Sequence, residues 1–250
     1  MTSFVFDVYS QYYDLLYFDK DYQAETEYLT SLFERYGLNG RNLVEFGSGT
    51  GIHGSLLAER GYSVVGVERS LEMVTSARKL RGLKSIQGDI CTIQLGRKFD
   101  AVLSIFHVIS YQTTNEKLQA VFQNAAEHLD LGGLFVFDFW YSPAVYFQKP
   151  SVRIKRISNS SVHITRIAEP VLHENDNCVD VKYTVFARDL KNGNTHTFEE
   201  THPMRHFSLP EIELYARTTG FELVVAEEFL SSNVPSKDTW GVCVVLRKVC

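Results

Sequence analysis

The segment Val44-Glu45-Phe46-Gly47-Ser48-Gly49-Thr50-Gly51 crowds glycines where an apolar run ends and a helical pattern begins. Glycines at such a turn let the backbone bend sharply and let a ligand approach the main chain. The amides of the following helix favour an anionic group. Glu68 closes the next apolar run, Val64-Val65-Gly66-Val67. A carboxylate about twenty residues past a glycine turn can accept hydrogen bonds from both hydroxyls of a ribose. Gly88-Asp89-Ile90 follows a third short run, and Asp89 could accept from an adenine amino group. Alone, Asp89 reads as a turn aspartate; the three features in order form the stronger signal.

A second group of residues could act on whatever lies beside that ligand. Ser104-Ile105-Phe106-His107-Val108-Ile109-Ser110-Tyr111-Gln112 follows the fourth apolar run. His107 could serve as a base or a donor, or simply pack; Tyr111 could orient a substrate, or pack against the N-terminal segment. Asp138-Phe139-Trp140-Tyr141 ends the fifth run, where Trp140 and Tyr141 suit an amphipathic molecule such as a sugar. Further on, alternation puts Glu200, His202, Met204 and His206 on one strand face and Arg205 on the other. Glu200, His202 and Arg205 are candidates, His202 and Arg205 as substrate contacts, and alternation alone does not say which face looks inward. Arg153, Lys155, Arg156 and Arg166 form a basic cluster, a solvated surface or a diphosphate site. Tyr9, Tyr13 and Tyr17 would share one face of an N-terminal helix at i, i+4, i+8, joined by Phe4, Phe6, Tyr12 and Phe18. Such a helix either docks on the domain or forms an aromatic lid.

The elements that must carry these groups can be read from periodicity. Residues 42–46, 62–67, 84–87, 99–105 and 134–139 read as strands, with helices at 52–60, 71–80 and 116–129 between them. Gly132-Gly133 reads as the stop of the last of these helices. Alternating β and α elements with continuous apolar strands predict a parallel sheet covered on both faces. From 151 to 207 the pattern changes to antiparallel strands, with Asn192-Gly193 at a hairpin turn. Ser208 then caps a helix that ends at Gly220, and residues 221–228 and 242–248 close the chain as two strands. The chain thus reads as a single domain, 1–250. Within it lie an N-terminal helical lid at 1–36, a cofactor-binding core at 40–140, an antiparallel insertion over the acceptor site at 150–207, and closing elements at 208–250.

Bulk properties narrow the function classes. The 250 residues are 44% hydrophobic and 22% charged, with a formal net charge of -5. That balance argues against a nucleic-acid partner, which usually leaves a basic footprint. No apolar run reaches bilayer-spanning length, and the N-terminus has Asp7 and Asp14 where a secretion signal would be basic then apolar. Cys91, Cys178, Cys243 and Cys250 form no CxxC pair and sit near no His at metal-ligand spacing, as expected of free thiols in a reducing cytoplasm and of a site without metal.

The glycine turn, Glu68, Gly88-Asp89-Ile90, Phe99-Asp100-Ala101-Val102 and the Gly132-Gly133 region together resemble the class I S-adenosylmethionine-dependent methyltransferases. Dinucleotide dehydrogenases usually show GxGxxG, whereas here the third glycine comes one residue early. The resemblance covers residues 40–140 and implies an α/β, Rossmann-like doubly wound sheet, mostly parallel with an antiparallel last strand. It also implies S-adenosyl-L-methionine as cofactor, with Glu45 near its amino-acid end, Glu68 on the ribose and Asp89 near the adenine. Tyr13, Gly47, Ser48, Gly49, Gly51, Arg69, Met73, Gly88, Ile90, Ser104, Phe106 and His107 complete the implied cofactor contacts. The Tyr-rich N-terminus, residues 107–112, Phe139-Trp140-Tyr141 and the β insertion are similar to amino-sugar N-methyltransferases acting on nucleotide-linked sugars. That similarity implies acceptor-site roles for Tyr13 and Tyr111, with His107 as the third catalytic candidate and Tyr9, Tyr17, Trp140 and Tyr141 as substrate contacts. The expected function is methyl transfer to a small-molecule acceptor, preferably a sugar amine. The alternatives are O-methylation of a sugar or other metabolite, where His107 would be essential as base, and cofactor binding without turnover. A homodimer is left open.

Overall fold

Five strands form a parallel layer in the computed structural model, which describes residues 8–250. They are β1 (Asn42–Phe46), β2 (Ser63–Glu68), β3 (Leu83–Gln87), β4 (Phe99–Ser104) and β5 (Leu129–Tyr141), in the order β3-β2-β1-β4-β5. β11 (Gly241–Lys248) pairs antiparallel with β5, and β10 (Phe221–Glu228) pairs antiparallel with β11. The result is a mixed α/β fold whose sheet is mostly parallel and ends antiparallel. Helices α2 (Tyr22–Arg35), α3 (Ile52–Glu59), α4 (Leu71–Ala77), α5 (Asn115–Glu127) and α7 (Leu209–Thr218) accompany it.

Both faces of the sheet are buried, which is why its strands are continuously apolar. Val44, Phe46, Val102, Phe135 and Phe137 point one way and meet Leu118, Val121 and Phe122 of α5 and Ile212 of α7. Leu43, Leu103, Val136 and Val245 point the other way and meet Tyr28, Leu29, Leu32 and Phe33 of α2. Each fully buried side chain of this size contributes about 1.5–3 kcal/mol of transfer free energy. The helices start where local chemistry directs: Asp21 accepts from the Ala24 amide at 2.9 Å, and Thr114 accepts from Lys117 at 3.3 Å.

The insertion extends the same sheet. β9 (Thr195–Phe207) joins the far end of β5 through Trp140↔His206 and Tyr141↔Phe207. β8 (Cys178–Asp189), β7 (Val162–His173) and β6 (Arg153–Ser158) follow, each antiparallel to its neighbour. A short helix, α6 (Ser142–Gln148), leads into it; its seven residues, with Pro143 in the first turn, show too little periodicity to be read from sequence.

Three expectations are corrected. The N-terminal segment is not one helix: a 3-10 turn (Val8–Tyr12) runs into a single α turn, α1 (Tyr13–Leu16), and a further turn precedes α2. It packs on the insertion, with Tyr9 and Leu16 against Ile157, Ile164 and Val185. Phe4 and Phe6 lie outside the described residues. Gly132 and Gly133 do not stop α5; they lie inside β5, where the β4 register jumps between Phe99 and Ala101, and His128 caps the helix. Ser208 occupies the cap position of α7 without a side-chain capping bond.

Candidate active site

A cavity of about 330 Å³ opens beyond the carboxyl ends of the parallel strands. One wall is built by the β1–α3 turn. Gly47 has a φ of 73°, and a Cβ there would lie 2.5 Å from Val108 Cγ1. Gly49, at φ 54°, faces open space, with only Met73 Sδ within 4.0 Å of an added Cβ, so the main chain itself lines the cavity. The turn is tied to β2: the Gly47 and Ser48 amides donate to Val67 O at 2.8 and 3.1 Å.

Glu68 ends β2 and holds this wall together. Its Oε2 accepts from the Gly49 amide at 3.0 Å and its Oε1 from Ser70 at 2.8 Å. Burial raises its pKa against these hydrogen bonds. Each carboxylate oxygen has a second lone pair, so ribose hydroxyls could still be held. Asp89 uses Oδ1 to fasten the Cys91 amide at 2.8 Å and borders the cavity with Gly88 and Ile90.

One end of the cavity carries Glu45 together with charges that the sequence did not single out. The Lys20 ammonium is buried, its Nζ 2.8 Å from Glu25 Oε2 and 3.6 Å from the centre of the Phe106 ring. His53 Nε2 lies 2.7 Å from the same Glu25 oxygen, and its Nδ1 is 3.7 Å from Glu45 Oε1. Glu45 is 2% exposed, and its Oε2 has no hydrogen-bond partner among the described residues. Burial, with Glu68 adding to it and Lys20 opposing, pushes the Glu45 carboxyl up to about 8. Burial likewise lowers the pKa of Lys20 and of His53. A buried ammonium near a buried carboxyl with one oxygen unpaired among the described residues matches a zwitterionic amino-acid end.

The opposite wall is aromatic and carries two histidines, each beside a buried carboxylate. Tyr13, Tyr17, Phe106, His107, Tyr111, Trp140, Tyr183, His202 and Met204 line it. His107 Nδ1 lies 2.7 Å from Asp138 Oδ2, and the His107 backbone amide donates to Asp138 Oδ1 at 3.0 Å. Burial pushes the Asp138 carboxyl up, but His107 and Lys20 outweigh it and leave the group below its ordinary range. Behind this wall runs a polar chain. Tyr111 Oη is 2.9 Å from His202 Nδ1, His202 Nε2 is 3.2 Å from Glu200 Oε2, and Glu200 Oε1 accepts from the Tyr9 amide at 2.8 Å. Burial and neighbouring tyrosines raise the phenols of Tyr13 and Tyr111 well above their ordinary range.

The cavity therefore brings together Tyr13, Tyr17, Glu45, Gly47, Ser48, Gly49, Glu68, Arg69, Met73, Gly88, Asp89, Ile90, Phe106, His107, Tyr111, Trp140 and His202. Five expected residues do not reach it. Gly51 packs α3 closely, since a Cβ there would meet Leu83 and Ala77. Ser104 donates to Phe46 O at 3.1 Å and joins β4 to β1. Tyr9 stands one layer back, stacked on Tyr183 at 5.2 Å. Tyr141 alternates away from Trp140 and packs on the sheet core. Arg205 points opposite to His202 and Met204 and pairs with Glu211 and Asn115.

A methyltransferase-domain model matches residues 43–133, the stretch that carries the glycine turn, Glu68 and Asp89. Over 218 residues the chain is 31% identical to the dTDP-3-amino-3,4,6-trideoxy-alpha-D-glucopyranose N,N-dimethyltransferase of Streptomyces venezuelae, spanning 86% of this chain and 90% of that one. The crystal structure of Streptomyces venezuelae DesVI superposes with a TM-score of 0.79 at 26% identity, covering 94% of this chain and 97% of the other. The S-adenosylmethionine-bound amino pentose methyltransferase CalS10 of Micromonospora echinaspora has the same fold, with a TM-score of 0.78 at 21% identity over the whole of both chains. The chain belongs to the class I S-adenosylmethionine-dependent methyltransferases. It is an enzyme that takes S-adenosylmethionine as cofactor and a small-molecule acceptor, and the partnerless Glu45 Oε2 beside Lys20 fits the cofactor's amino-acid end. Among the described residues no helix is long and apolar enough to cross a membrane, and no cluster of metal-binding side chains occurs.

Proposed function

We propose that this enzyme methylates the amine of a nucleotide-linked amino sugar. The observation that carries the reading is the match along 90% of a relative named for that chemistry, together with a histidine–carboxylate pair on an aromatic wall. Glu68 holds the cofactor ribose, Asp89 approaches the adenine, and Lys20 and Glu45 take the carboxylate and ammonium of the amino-acid end. Bound there, the cofactor supplies an electrophilic methyl group on a sulfonium. His107 takes the proton that an ammonium acceptor must lose before its lone pair is available. Tyr17, Tyr111, Trp140 and Tyr183 orient the sugar and exclude water. The free state of Cys91, Cys178, Cys243 and Cys250 supports action in a reducing cytoplasm.

Calorimetric titration with S-adenosylmethionine, then turnover on a dTDP-linked 3-amino sugar followed by mass spectrometry, tests the reading. Gain of one or two methyl groups on nitrogen is the expected outcome. Cofactor binding with methylation of a hydroxyl-bearing analogue and not of the amine would overturn it.

A further inference from the structure

Phe106 and His107 adopt left-handed backbone in succession, with φ of 70° and 61°. Residues with a Cβ rarely hold that conformation, and they persist in it only where their surroundings over-determine it. One side chain does this for His107. Asp138, on β5, is 1% exposed. Its Oδ1 accepts the His107 backbone amide at 3.0 Å, and its Oδ2 lies 2.7 Å from Nδ1 of the same residue. A single carboxylate thus meets the histidine twice, by a hydrogen bond to its main chain and by an ion-pair contact to its ring.

The second contact also fixes a proton. Two lone pairs cannot face each other at 2.7 Å, so in the neutral ring Nδ1 carries the hydrogen and Nε2, on the ring edge remote from Asp138, carries the lone pair. The ring borders the cavity between Phe106 and Trp140, whose ring centres lie 5.7 and 6.2 Å from its own.

We propose that Asp138 is a positioning residue for methyl transfer: its carboxylate holds His107 in the left-handed turn and sets the neutral ring as the Nδ1–H tautomer, which leaves Nε2 to receive the acceptor's proton. This rests on the reading of His107 as base toward an amine. In that step the acceptor N–H bond breaks, its electron pair stays on nitrogen, and the proton joins Nε2. Asp138 takes no proton and balances the imidazolium that forms.

The test is nitrogen-15 NMR of histidine-labelled protein near pH 8, with His107 assigned by its loss in His107→Gln, alongside kinetics of Asp138→Asn. The wild-type ring is expected as the Nδ1–H tautomer. In Asp138→Asn the amide oxygen must still accept the His107 backbone amide. That turns the side-chain NH₂ toward Nδ1 and drives the ring proton to Nε2. The expected result is a reversed tautomer with kcat down about 100-fold or more. Acceptor KM and cofactor affinity should stay within about threefold, because the loss falls on the proton-transfer step. A wild-type Nε2–H tautomer, an unchanged kcat, or a loss confined to KM would each overturn the proposal. Should Asp138→Asn fail to fold, the wild-type spectrum decides alone. Expected tautomers in an enzyme that methylates no amine would sink the acceptor reading and leave the positioning intact.

Discussion

Glu68 accepts the Gly49 amide at 3.0 Å, so the carboxylate that ends β2 also shapes the glycine turn that ends β1. Its second oxygen holds the Ser70 amide at the start of α4. The residue proposed to hold the ribose is therefore also a brace between the glycine turn and the start of α4, and Ala at this position would remove both roles at once. Glu68→Gln is the cleaner probe: its carbonyl oxygen keeps one amide bond, while the amide group cannot accept from a ribose hydroxyl. A hydrogen bond to a charged group contributes about 1.5–3 kcal/mol, so cofactor affinity should fall roughly 10- to 100-fold. Calorimetry on a variant that melts within a few degrees of wild type checks this; unchanged affinity would remove Glu68 from the cofactor site.

Glu45 links cofactor binding to protons. Its carboxyl, pushed up to about 8 by burial, is protonated in the folded apo enzyme at neutral pH. The ammonium of the cofactor's amino-acid end favours the ionised form, so binding should release a proton. Calorimetry between about pH 6 and 7, where an α-amine keeps its charge, should show the release in buffers of differing ionisation enthalpy. Glu45→Gln should abolish it, although Lys20, His53, Glu25 and Glu68 remain nearby. The stability sign follows from the raised pKa. Glu45's contribution is complete below the ordinary carboxyl range and is lost as pH rises through about 8. The apo wild type should therefore lose melting temperature relative to Glu45→Gln over that window.

How much of this was legible depends on whether the signal is local. The glycine turn and Glu68 announce themselves because a βαβ unit places them at fixed spacing, and the alternation in residues 195–206 put Arg205 opposite His202. Lys20 gave no such signal, being one cation in the aromatic run Tyr17-Phe18-Asp19-Lys20-Asp21-Tyr22, and only packing over Phe106 carries it into the cavity. Tyr183 likewise reaches the site through the register of β8 on β9, which pairs it with Glu200. Gly132-Gly133 misled because paired glycines mark a helix stop and a strand irregularity equally well.

Gly47 tests whether the turn must be glycine. Gly47→Ala imposes a left-handed backbone on a residue with a Cβ and drives that Cβ to 2.5 Å from Val108 Cγ1. Strain of this kind costs of order 1–3 kcal/mol. Val108 is the next residue after His107, so the displacement is transmitted to the proposed base. Lower melting temperature together with a fall in kcat is expected; a variant that loses stability with wild-type kcat would detach the turn from the catalytic segment.

Arg166 fastens the N-terminal segment to the insertion. It donates to Tyr9 Oη at 2.8 Å and Tyr17 Oη at 3.3 Å from β7, and Lys155 of β6 pairs with Asp19 at 2.6 Å. The basic cluster seen in sequence thus sends two of its members to the N-terminal segment. Arg166→Met keeps most of the packing and removes both donations. Hydrogen exchange in residues 8–20 should accelerate while β1, β4 and β5 stay protected. Acceptor KM should rise several-fold, because Tyr17 lines the cavity, and cofactor affinity should be unaffected. Exchange at 8–20 that matches wild type would mean that Tyr9 and Leu16, packed on Ile157, Ile164 and Val185, hold the segment without the arginine.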